Sequence, residues 1–76
     1  MQKVAERGLA DAQYDLADMY KNGQGVKQDE KQEFYWYMQA AKQGHCFAQY
    51  NLAWMYDHAK GVEQDDKQAV YWYTKA

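Results

Sequence analysis

Residues 12–20 read Ala-Gln-Tyr-Asp-Leu-Ala-Asp-Met-Tyr, and residues 48–56 read Ala-Gln-Tyr-Asn-Leu-Ala-Trp-Met-Tyr. The two stretches stand 36 positions apart, and the echo extends beyond them without a gap. Gly25-Val26 returns as Gly61-Val62, Gln28-Asp29 as Gln64-Asp65, and Tyr35-Trp36-Tyr37 as Tyr71-Trp72-Tyr73. Segments 5–40 and 41–76 therefore read as two copies of one unit. A period of about 20–50 residues signals a solenoid, whose units stack because none buries its apolar face alone. Such folds present a surface to a partner more often than they enclose a reaction.

Each unit reads as helix, loop, helix. In the first helix Ala12, Leu16, Met19 and Tyr20 stand four, three and one apart, as do Ala48, Leu52, Met55 and Tyr56. That spacing paints an apolar stripe on one helical face. Ala17 and Ala53 beside the leucines let a neighbouring helix come close. Asp29 and Asp65 open the second helices with Gln32 and Gln68 three residues on, a capping-box arrangement. From Asp29 to about Gln43, Trp36, Tyr37, Ala40 and Ala41 share a face, and Gly44 supplies a left-handed stop. The matching helix runs from Asp65 to the end. Val26 and Val62 plug the loops Lys21 to Gln28 and Asp57 to Gln64.

The expected fold is all-α, an α-solenoid of antiparallel helix pairs stacked into a short superhelix. At 76 residues it is a single domain, with repeat 1 at about 5–40 and repeat 2 at about 41–76. Residues 1–4 align with 37–40 and read as the remnant of a preceding helix. Both ends look cut, as in an excerpt from a longer array. Uncapped end faces would expose apolar surface and favour self-association.

Composition narrows the function. A net charge of −2 lacks the basic patch that nucleic acid calls for. No apolar run approaches the ~20 residues of a membrane span. The single Cys46 has no partner for an internal disulfide; a free cysteine is compatible with a reducing compartment and tips the expectation slightly toward the cytoplasm. Cys46 and His58 lie roughly 18 Å apart along one helix, far beyond a shared zinc ion, so no metal or cofactor is expected. Cys46 replaces Ala10 and reads as small-residue packing. Serine is absent, Cys46 has no partnered His, and Gly23-Gln24-Gly25 lacks the strand and Lys-Ser/Thr of a phosphate loop.

The run Ala-Gln-Tyr-x-Leu-Ala-x-Met-Tyr, the Gly-Val loop, Gln-Asp and Trp-Tyr-x-x-Ala together resemble the Sel1-like repeat, a relative of the tetratricopeptide repeat with a longer loop. The resemblance covers residues 5–76, twice in register. It implies an adaptor that assembles protein complexes, as many members do in bacterial signalling and host interaction. One cysteine-rich bacterial branch is linked to penicillin binding; it carries a disulfide in each repeat, which a single cysteine cannot form, so penicillin-binding or β-lactamase-like activity is only a minor alternative here. Three departures stand out. Ala17 and Ala53 replace a usual glycine, Glu33 stands where the pattern prefers alanine, and Ala59 replaces the loop glycine kept as Gly23. If Gly23 has positive φ, Ala59 is strained by ~1 kcal/mol or shapes its loop differently.

Subtracting one unit from the other locates the candidate site. All eight tyrosines fall on four repeat positions and Trp36 pairs with Trp72, so these read as framework. Phe47 opposite Asp11 and Trp54 opposite Asp18 remain. At ~100° per residue, Phe47, Tyr50, Trp54 and His58 lie within about 80° of one another, roughly 140° from the Leu52–Met55 stripe. Unit one offers Asp11, Tyr14, Asp18 and Asn22 at the matching positions. The first helix of each unit lines the concave surface in related solenoids, so these residues are expected to dock a protein or peptide there. The alternative is packing against a neighbouring unit or another copy, in a structural segment with no groove.

Overall fold

The computed structural model describes residues 2–76, with side chains from Leu9 onward. Four helices make up the fold: α1 (Gln2–Asn22), α2 (Glu30–Lys42), α3 (Cys46–His58) and α4 (Asp66–Lys75). Among the described residues there is no strand. Each helix packs on its sequence neighbours, α1 on α2, α2 on α3 and α3 on α4. This serial contact is the solenoid arrangement read from the repeat.

Alanine sets the spacing of the layers. Ala17, Ala40, Ala48 and Ala53 are fully buried, and Ala41 nearly so. Side chains this small bring helix axes close enough for Leu52, Met55 and Tyr37 to fill the remaining space completely. The first-helix stripe is not buried equally in the two units. Ala48 and Leu52 are inaccessible, whereas Ala12 is exposed and Leu16 half-buried. The reason is topological: α3 lies between α2 and α4, while α1 packs on α2.

Local chemistry fixes the helix ends. Asp29 caps α2 by accepting from the backbone N–H of Lys31 at 3.0 Å and of Gln32 at 3.3 Å. Asp65 caps α4 through the N–H of Gln68 at 3.2 Å. The reciprocal half of the capping box is not made. The Asp29 N–H donates instead to the Tyr20 carbonyl, and the Asp65 N–H to that of Tyr56, both at 3.1 Å. These bonds tie each second helix to the first, leaving Gln32 and Gln68 nothing to satisfy. The loops are tied once more, Gln28 Nε2 donating to the Lys21 carbonyl and Gln64 Nε2 to that of Asp57, each at 2.9 Å.

Gly44 ends α2 with φ +91°, as the sequence leads one to expect. Gly23 has φ +70°, and Ala59 follows it into the left-handed region at φ +54°. The loop shape is thus kept and the alanine is strained. Two expectations differ from the structure. Residues 2–4 belong to α1, which passes through Gly8 without the stop that Gly44 makes, so they are not the end of a separate helix; Met1 lies outside the described residues. Cys46 is exposed rather than packed like Ala10, because it opens α3 just after a turn while Ala10 lies inside α1.

Candidate functional site

Helix α3 is apolar on two sides. Leu52 and Met55 face the core, while Phe47, Tyr50 and Trp54 are 69%, 52% and 38% exposed and His58 is exposed with them. Contacts with α1 and the second loop divide this outer row into two clusters.

The first cluster joins Asp11 and Tyr14 of α1 to His45 and Phe47. His45 caps α3, its Nδ1 accepting from the Ala48 N–H at 3.1 Å. A ring nitrogen that accepts carries no proton, so the hydrogen sits on Nε2 and is donated to Asp11 Oδ1 at 3.0 Å. The contact is therefore a hydrogen bond from His45 to Asp11 that ties the start of α3 to α1. Tyr14 stacks on the His45 ring at 4.6 Å, and Phe47 leans on both from 6.4 and 6.2 Å. A recess of about 350 Å³ opens here beside Asp11, His45, Cys46 and Phe47.

Asp18 turns inward. It accepts from the hydroxyl of fully buried Tyr37 at 2.6 Å. Burial, and then the Asp18 hydrogen bond, push that hydroxyl well above the usual tyrosine range. Asp18 is thus committed to holding α1 on α2. Asn51 Nδ2 reaches the Tyr14 hydroxyl at 3.5 Å and links the two clusters.

In the second cluster Trp54 stacks on His58 at 3.9 Å, and Tyr50 meets Tyr73 edge-on at 5.5 Å. A recess of about 360 Å³ opens between the end of α1 and α3, with Lys21, Glu33, Tyr50, Asn51, Trp54 and Lys60 on its walls. Glu33, 2% exposed, is the one buried charged residue among those described. Lys60 reaches it from the second loop, Nζ lying 3.3 Å from Oε1 and donating to Oε2 at 3.4 Å. The same ammonium sits 5.9 Å from the Trp54 ring centroid. Burial pushes the Glu33 carboxyl above its ordinary value, opposed by Lys60 and, at longer range, Lys21.

Glu33 and Lys60 were not among the residues the sequence singled out as a site. Glu33 shows in the sequence only as a departure from the alanine preference, and Lys60 only as the counterpart of Gln24. They are 27 residues apart, and the contact arises because the second loop folds onto α2. Gly61 makes this approach possible: a Cβ there would lie 2.5 Å from the Glu30 carbonyl oxygen.

Among the described residues, no group of three or more His, Cys, Asp or Glu is placed to hold a metal ion. No described helix is long and apolar enough to cross a membrane.

The family model of the Sel1 repeat matches residues 10–45 and 46–76. The chain belongs to the Sel1 repeat family. Solved structures agree. A Sel1 repeat protein from Oxalobacter formigenes superimposes with a TM-score of 0.87 at 44% identity, over 90% of this chain and 51% of that one. A protective antigen present in uropathogenic Escherichia coli strains, displaying an SLR fold, gives 0.85 at 42% identity, over 93% of this chain and 15% of that one. The chain thus spans about half or less of the length of these Sel1 relatives. Among curated proteins, none matches. Sel1 repeats are generally protein–protein interaction modules, on a fold that is typically a non-catalytic scaffold.

Proposed function

We propose that this Sel1 repeat protein is an adaptor whose protein or peptide partner lies along the outer face of α1 and α3. The observation that carries the reading is the exposed row Phe47, Tyr50 and Trp54 on the side of α3 away from its core. Large aromatic anchors grouped on one face are what interface hot spots are made of. Asp11 and Asp15 of α1 are also exposed, so the rim on the Phe47 side of this row is acidic and suits a partner with a basic residue flanking its apolar anchor there.

The test substitutes Phe47→Asp and Trp54→Asp together and compares partner capture from the native host with that of the intact protein. Tyr35→Asp, on α2, serves as the control. Loss of capture in the double variant alone, with its melting temperature unchanged, supports the reading. Equal capture by all three proteins refutes it.

A second reading has its own observation. Tyr37 is inaccessible and Phe34 half-buried against Tyr56, yet their counterparts Tyr73 and Val70 are 36% and 64% exposed. The face that unit two covers on unit one is open on unit two, and a further repeat or a second copy fits it. A molecular mass that stays monomeric from micromolar to millimolar concentration excludes the second copy.

A further inference from the structure

The recess above Glu33 is not a product of the repeat. Lys21, Glu33, Asn51, Trp54 and Lys60 on its walls have Asp57, Ala69, Asp15, Asp18 and Gln24 as their counterparts. Each of the five changes alters charge or hydrogen-bonding capacity, and all five meet at one place. Two ammonium groups face one carboxylate there, an excess of one positive charge in a protein whose net charge is −2.

The two lysines are not equivalent. Lys60 is anchored: its stem carries the ammonium to the carboxylate of a side chain only 3% exposed, and the Trp54 ring centroid lies 5.9 Å away. The Lys60 side chain is 21% exposed and lines the recess. One N–H is directed to Glu33 Oε2; an ammonium has three, which leaves others to donate. Lys21 and Asn51 line the same recess and add an ammonium and an amide to it. An entering cation would meet two ammonium groups and a carboxylate already neutralised. An entering carboxylate would meet the donors of Lys60, Lys21 and Asn51 and an excess charge opposite to its own.

We propose that this recess is a carboxylate subsite, taking an Asp or Glu side chain or the terminal carboxylate of the docked partner. Lys60 and Lys21 pair with the carboxylate, Asn51 donates to it, and Glu33 is a positioning residue that holds Lys60 in place. The inference rests on the docking reading above and adds the chemistry of one contact.

The test uses the ¹⁵N-labelled 76-residue chain and three probes: N-acetyl-glutamate amide, N-acetyl-alanine with a free carboxylate, and N-acetyl-glutamine amide. The signals followed are the Asn51 side-chain amide and the Trp54 indole. Saturable shifts are expected with the carboxylates and none with the glutamine amide; the tighter of the two carboxylates tells an acidic side chain from a polypeptide terminus. Lys21→Gln is expected to weaken binding by up to about fivefold, the upper range for a solvent-accessible ion pair.

Lys60→Gln alone leaves Glu33 buried without its partner, so the decisive variant is Glu33→Ala/Lys60→Gln. It places at 33 and 60 the residues the repeat already carries at 69 and 24, and it is expected to lose saturable binding. Lys42→Gln, on exposed α2 surface, is expected to leave binding unchanged. Equal response to all three probes overturns the proposal, and so does a Lys42→Gln loss as large as that of the double variant. If carboxylates fail to bind while Phe47→Asp/Trp54→Asp still abolishes capture, the subsite falls and docking stands. If they bind while capture survives that double substitution, docking at the aromatic row falls instead.

Discussion

Gly25 and Gly61 occupy the same position in their units, with φ of +73° and +72°, yet replacing them with alanine should not cost the same. Any L-residue held in the left-handed region costs about 1–2 kcal/mol, and both substitutions incur that. The surroundings differ. A Cβ on Gly25 meets only Met19 Cε at 3.6 Å, an ordinary contact. A Cβ on Gly61 lands 2.5 Å from the Glu30 carbonyl oxygen and 2.9 Å from its carbon. Those are backbone atoms in the first turn of α2 and cannot swing aside, so the loop must retreat.

Overpacking of this kind adds about 1–3 kcal/mol. Gly25→Ala is therefore expected to destabilise by about 1–2 kcal/mol and Gly61→Ala by about 2–5. Urea unfolding of both variants, compared at a common slope, gives the difference directly. In a protein of this size each 1 kcal/mol moves the melting temperature by roughly 4–8 °C, so the gap is easily resolved. Equal losses would refute the claim that the second loop is pressed onto α2. They would also weaken the case for Lys60, the residue before Gly61, being held over Glu33 by that contact.

Ala59→Gly is expected to stabilise the fold by about 1 kcal/mol, since it relieves a left-handed alanine at a position where unit one has glycine. A thermal melt with no gain would mean that the φ of +54° carries no strain. Tyr37→Phe removes the donor to Asp18 from a fully buried site and should cost about 1 kcal/mol in urea unfolding; a neutral result would show that Asp18 does not depend on it. The Glu33 carboxyl is raised on folding by burial, which Lys60 and Lys21 oppose and Glu30 reinforces. Its stabilising contribution is therefore full below the ordinary carboxyl value of 4.5 and is lost as pH rises through the folded value. Stability measured against pH should fall less steeply across that window in Glu33→Gln than in the parent, and identical slopes would contradict the assignment.

Those features of the fold that depend on near neighbours in sequence were legible before the structure. Asp29 and Asp65 cap because a carboxylate and the amides it binds are two or three residues apart, and Gly44 turns because of its own backbone. The inward and outward rows of α3 follow from 3.6-residue periodicity, so the exposure of Phe47, Tyr50 and Trp54 could be read from spacing. What depends on a second element was less accessible. The Asp29 and Asp65 N–H groups are taken by carbonyls of the preceding helix, which silences half of the capping box. Asp18 shares its helical position with exposed Trp54, yet it bends inward to Tyr37 because that tyrosine is buried beneath it. Glu33 and Lys60 meet only once a loop of unit two has folded onto a helix of unit one.

Such encounters across units bear on where recognition arises in a repeat. An isolated unit supplies α1 with its carboxylates or α3 with its aromatics, but neither supplies the recess above Glu33. The 360 Å³ recess exists because residues of both units converge on it, Lys21 and Glu33 from the first, Asn51, Trp54 and Lys60 from the second. Two copies of unit one would put Gln at position 60, and two copies of unit two would put Ala at position 33, and in either case no anchored ammonium remains. Stacking on a shared framework therefore fixes the geometry, while divergence at the seam fixes the chemistry. A buried glutamate is costly in the middle of an alanine-lined interface, and the Lys60 it positions is what distinguishes this seam from a purely structural one.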